Sequence, residues 1–137
     1  MAKKLQVLIV EDRWMLADAF RLVLEGESDI DSLPPVTGVE AVEVCRNARP
    51  DVVLVDADLR DTDGFALVGQ IRLACPDSRV VMLYELPDRD LEKRAAVVGA
   101  SSLISTRLAA EDLPGMVRQV AASGQPFDLR ERGTDLG

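Results

Sequence analysis

Pro50-Asp51-Val52-Val53-Leu54-Val55-Asp56 is the stretch on which the reading of this chain turns. Its four central residues are apolar, three of them β-branched, and the run stops abruptly at Asp56. A strand with one wet face alternates apolar and polar side chains. An unbroken run is buried on both faces, as in a parallel sheet covered by helices. Leu5-Gln6-Val7-Leu8-Ile9-Val10 reads as a second such strand, and it too runs into acids, Glu11 and Asp12.

Outward from these strands, helical stripes alternate with further short apolar runs. Met15, Leu16, Ala19, Phe20, Leu22 and Val23 form a helical stripe closed near Gly26. A weaker strand covers Ile30 to Leu33, cut by Pro34-Pro35, and a helix from Val39 to Ala48 is stopped by Pro50. After a polar loop ending in Asp63-Gly64, a helix runs from about Phe65 to Ala74. Val80 to Tyr84 is a strand, and Asp88 to Val98 a helix ending at Gly99. Ser102 to Ser105 is a short strand, and Glu111 to Ala122 a last helix carrying Leu113, Met116, Val117 and Val120. Five strands alternating with five helices predict an α/β fold, a five-stranded parallel sheet with helices on both faces. That single domain is expected over residues 4–123, with the polar, aperiodic 124–137 as a tail or the start of a linker.

Composition narrows the chemistry. A chain of 137 residues can bury one core without disulfide or metal staples. A net charge of -8 argues against direct nucleic-acid binding, because phosphate contact needs a basic face. The absence of histidine excludes imidazole acid–base catalysis and histidine metal sites. Cys45 and Cys75 lack the CxxC spacing and read as reduced thiols. Leu5 to Val10 is too short for a signal-peptide core or a membrane span, so a cytoplasmic protein is expected.

In open α/β sheets, ligands bind at the carboxyl ends of the strands. Glu11, Asp12 and Asp56 all lie there. One acid after a strand is ordinarily a helix cap or a solvated turn. An adjacent pair, with a third acid ending another strand, calls for a further account if the two strands are neighbours. Unit charges about 4 Å apart repel by about 4 kcal/mol at an effective dielectric of about 20, so such a cluster needs a counter-ion. Oxygen ligands alone favour a hard cation such as Mg²⁺.

Taken in order, Val7 to Asp12, Pro50 to Asp56, Asp63-Gly64 and Gly99-Ala100-Ser101 resemble the receiver domains of two-component response regulators, over about Lys4 to Ser123. The resemblance implies the flavodoxin- and CheY-like (βα)5 fold and a signalling module, not an enzyme. It implies Asp56 as phosphoacceptor, attacking a phosphoryl group supplied by a sensor histidine kinase or a small phosphodonor. Glu11, Asp12, Asp56 and the backbone carbonyl of Asp58 would hold Mg²⁺, which offsets repulsion between an anionic nucleophile and an anionic substrate. The motifs also look like those of LuxR/NarL-type transcription regulators. That likeness implies a homodimer or an output-domain contact, with residues 124–137 either leading to an output domain or ending a stand-alone receiver.

Several positions depart from the family's pattern. Tyr84 stands where receivers usually carry Ser or Thr, and Glu85 where the residue is commonly small. Thr106 takes the place of the usual lysine. Arg107 follows it, but successive side chains leave a strand in opposite directions. Leu103 replaces the usual aromatic, and Arg60 a frequent proline. Two readings follow: a phosphorylated switch working through Tyr84 or Arg107, or a phosphorylation-independent dimerisation or partner-binding module. A third, a Mg²⁺-dependent phosphatase-like enzyme, lacks an acid/base pair beyond the cluster. Side chains closed over Asp56 favour the second reading, an open pocket the first. Trp14, beside the acidic pair, is expected near the pocket, and by family analogy the last helix and the Asp88 to Val98 helix offer a dimer face.

Overall fold

The computed structural model describes residues 3–108 and 110–123. The expected tail over 124–137 lies outside the described residues. The elements are β1 (Leu5–Val10), α1 (Trp14–Glu25), β2 (Ile30–Ser32), α2 (Gly38–Ala48), β3 (Val52–Asp56), α3 (Gly64–Ala74), β4 (Arg79–Tyr84), α4 (Leu91–Val97), β5 (Ser102–Ser105) and α5 (Leu113–Ser123). The strands form one parallel sheet in the order β2-β1-β3-β4-β5.

Both faces of the sheet are buried, as the unbroken apolar runs require. Val53 and Val55 of β3, with Leu8, Val10, Val80, Met82 and Leu103, pack against α2, α3 and α4 through Ala41, Cys45, Val68, Ile71, Leu91 and Ala95. The alternate residues Val52 and Leu54, with Val7, Ile9, Val81, Leu83 and Ile104, pack against α1 and α5 through Ala17, Leu24, Met116, Val117 and Val120. The period of two along each strand thus divides its side chains between two cores. Leu113, Met116, Val117 and Val120 belong to the second core and are not on an exposed face.

Several boundaries differ from the sequence reading, most by a single residue. α4 starts at Leu91 and not Asp88, because Asp88 Oδ1 accepts the Asp90 amide at 2.8 Å in a local turn that competes with helix. Glu111 and Asp112 belong to a 3-10 turn at Ala110–Asp112 that leads into α5. β2 ends at Ser32, although the Leu33 amide still reaches Val7 O at 2.9 Å. Cys45 and Cys75 are buried free thiols, and burial pushes Cys45 up to about 12, away from reactivity. Among the described residues no helix is long and apolar enough to cross a membrane.

Leu54 lies in the central strand with no exposed surface. Leu54→Ala is expected to cost about 3–4 kcal/mol through lost burial and a residual cavity. Urea denaturation checks this, and a loss below about 1 kcal/mol would contradict the packing described.

Candidate functional site

Register brings the acids together. β1 pairs with β3 so that Val10 lies opposite Val55, which puts Glu11 beside Asp56 one residue further on. Glu11 and Asp56 fall in the alternation that faces α1 and α5, and both are buried, at 3% and 1% exposure. On the other side of β3, Leu83 lies opposite Asp56, so Glu85, two residues on, returns to the same side at the sheet's edge. Gly64 closes the floor: a Cβ there would lie 2.6 Å from the Asp56 carbonyl oxygen.

Arg13 fills the space between these acids. It is the extended N-cap residue of α1, two positions past Glu11. Its Nη2 donates to Asp56 Oδ2 at 2.7 Å and its Nη1 to Glu85 Oε2 at 3.2 Å. Its backbone amide donates to Glu11 Oε2 at 3.2 Å. Glu11 Oε1 lies 3.5 Å from Nη2 and forms no hydrogen bond there. The other Asp56 oxygen, Oδ1, accepts the Asp58 amide at 2.8 Å. Both oxygens of the Asp56 carboxylate are therefore engaged within the chain.

Asp12 is occupied elsewhere. Its Oδ2 accepts the amides of Arg60 and Asp61 at 2.5 and 3.2 Å, pinning the loop after β3. Asp61 in turn accepts the Val39 amide at 3.1 Å in the first turn of α2. Gly38 admits this loop, since a Cβ there would meet the Thr62 side chain at 2.3 Å. A groove of about 460 Å³ between α1 and the segment before α2 reaches Glu11 and Asp12.

The electrostatics follow from burial and the guanidinium. Burial, then the adjacent Asp56, pushes Glu11 up to about 8, against the lowering effect of the Arg13 amide and charge. Burial would also raise Asp56. The neighbouring Glu11 carboxyl, the Asp58 amide and Arg13 outweigh it and hold Asp56 below the usual carboxylate range. At neutral pH Glu11 keeps its proton and Asp56 the charge. Arg13 is held protonated, chiefly by its hydrogen bond to Asp56.

These carboxylates do not form a metal cage in this arrangement. Asp56 is taken up by Arg13 and Asp58, and Asp12 Oδ2 by loop amides. Among the described residues no group of three acids is disposed to hold a metal ion. Glu11 Oε1 and Asp12 Oδ1 are nonetheless buried oxygens without hydrogen-bond partners.

The positions that depart from the family divide by strand face. Tyr84 is buried with Phe65, Leu91 and Leu103 in the core under α3 and α4, away from the side of Asp56. Thr106 donates its amide to Tyr84 O at 2.8 Å, and Arg107 is exposed, its amide on Ser105 Oγ at 3.0 Å. Trp14 borders the groove but is 75% exposed. Sequence reasoning missed Arg13, which belongs to none of the motifs singled out. The available signal was a cation directly after two acids, in a cluster that needs a counter-ion.

Comparison with known proteins agrees with this architecture. Residues 7–118 match the family described as the response regulator receiver domain. The response regulator protein VraR of Staphylococcus aureus is 28% identical over 125 residues, covering 90% of this chain and 60% of VraR. The chain thus spans about 60% of that relative's length. Among solved structures, a CheY-like receiver domain protein from Methanospirillum hungatei JF-1 superposes with a TM-score of 0.80 at 20% identity, over 87% of this chain and 94% of that one. A LuxR-family response regulator from Aurantimonas sp. SI85-9A1 gives 0.86 at 17% identity, over 98% and 96%. These likenesses bear out the five-stranded parallel fold.

Glu11, with a folded-state pKa above its ordinary 4.5, adds stability that is complete below that value and lost as pH rises toward about 8. Asp56, with a lowered pKa, adds stability lost only in acid. Unfolding free energy is expected to fall between about pH 5 and pH 8, and Glu11→Gln to flatten that decline. Denaturation at a series of pH values checks this; a flat wild-type profile contradicts a protonated Glu11.

Proposed function

The chain belongs to the response regulator receiver domain family, and from that premise we propose that it is a receiver module acting on an output domain or a partner protein by contact, without requiring phosphorylation of Asp56. Receiver domains of this family are signalling modules of two-component systems. By likeness to VraR and to LuxR-family regulators, the regulated process is transcription, with DNA bound outside this acidic chain.

One observation carries the reading: Arg13 Nη2 sits 2.7 Å from Asp56 Oδ2, on the carboxylate that would have to attack phosphorus. A nucleophile in a charge-assisted hydrogen bond is less free to react. The groups that would read an added phosphoryl charge are also displaced, with Tyr84 in the core and Thr106 in place of a lysine. New charge changes a protein only by reorganising groups that can answer it.

A second reading rests on a different observation. Asp56 ends β3 beside Glu11, and Glu11 Oε1 and Asp12 Oδ1 remain unpartnered. In this reading Asp56 is the phosphoacceptor for a sensor histidine kinase or a small phosphodonor. Glu11, Asp12, Asp56 and the Asp58 carbonyl would hold Mg²⁺ once Arg13 has swung aside. The ion would neutralise charge on the entering phosphoryl group.

Incubation with acetyl phosphate and Mg²⁺, followed by intact-mass measurement, separates the two. The expected result is no phosphoryl adduct on the wild-type chain beyond that on Asp56→Ala. A near-stoichiometric adduct, lost in Asp56→Ala, overturns the first reading in favour of the second.

A further inference from the structure

The geometry points to Arg13 as an internal cation that Glu85 latches over Asp56, so that the guanidinium and a divalent ion are mutually exclusive occupants of the pocket. This rests on the reading of the pocket given above and adds how the pocket is kept closed. Arg13 bridges two strand ends: Nη2 on Asp56 at the end of β3, Nη1 on Glu85 just beyond β4. Glu85 stands at the pocket's mouth with its side chain 51% exposed, whereas Asp56 is at 1%. A guanidinium presents a planar fork of donors, so one side chain can satisfy both carboxylates at once. Glu85, unusual at this position, thereby has an evident role as the outer anchor of Arg13.

Any cation seeking Asp56 must take Oδ2 from Arg13. Its apparent affinity is reduced by the fraction of time that the latch is closed. The latch also makes a prediction of unusual sign. Removing an acid beside a cation site ordinarily weakens cation binding. Here, removing Glu85 frees Arg13 to leave, and divalent binding becomes stronger.

The experiment is calorimetric titration of the full chain with Mg²⁺ and no phosphodonor, with the shift in melting temperature as a second readout. Glu85→Gln is expected to bind Mg²⁺ about two- to fivefold more tightly than wild type, the range of a partly exposed ion pair. Arg13→Ala should gain about tenfold or more and show the larger Mg²⁺-dependent rise in melting temperature. In the Arg13→Ala background, adding Glu85→Gln should reverse sign and weaken binding, a coupling that a double-mutant cycle reads directly. Should Arg13→Ala fail to fold, the sign of the Glu85→Gln change alone decides.

Weaker binding or unchanged affinity in Glu85→Gln overturns the latch. So does a wild-type affinity equal to that of Arg13→Ala, or no Mg²⁺ response in any of the proteins. Because no phosphoryl group is present, a phosphorylated wild-type chain would refute phosphorylation independence without touching this result.

Discussion

Glu11 and Asp56 end neighbouring parallel strands with their carboxyl groups buried side by side, and the architecture around them answers that crowding. Two buried carboxylates cannot both stay charged without compensation. The fold supplies it three ways: Glu11 retains its proton, the Asp58 amide binds Asp56, and Arg13 brings a full positive charge to 2.7 Å. Desolvating two charges is repaid only when geometry is good and remaining lone pairs are filled. Here both oxygens of Asp56 have donors, whereas one oxygen of Glu11 does not.

That arrangement depends on the sheet. Only strands buried on both faces, in parallel register, bring the ends of β1 and β3 level and the turn after β4 within reach. The short link from Glu11 to α1 then swings the Arg13 backbone back over the site, where its amide meets Glu11. Asp12, one residue earlier, points to the loop after β3 and holds it against α2 through Asp61 and Val39. Three consecutive residues thus do three different things: Glu11 holds a proton, Asp12 clamps a loop and Arg13 supplies the counter-ion.

The link from the site to the surface runs through the segments after β3 and β4. Tyr84 lies in the core beneath α4, and Arg94 of α4 stacks over the Phe65 ring of α3 at 3.9 Å. This joins α4 to the helix that starts beside Asp56. Glu85 follows Tyr84 directly, so the pocket's outer anchor is continuous with the strand supporting that face.

The amino-acid sequence by itself determined the layers. Unbroken apolar strands such as Val52 to Val55 demand burial on both faces, and their alternation with helical stripes leaves a parallel sheet as the outcome. It also located the acids at strand ends, because a run that stops at a charge marks where the core stops. Its departures at Tyr84, Glu85 and Thr106 were visible as residue types, but their consequences were not. Which face each occupies follows from strand register, a pairing between segments far apart in the chain. The need for a counter-ion could be argued from Coulomb's law alone; its identity could not. A long, flexible arginine is placed by the sum of its contacts, and Asp56 and Glu85 lie 43 and 72 residues from Arg13. Only the tertiary structure brings those three to one point.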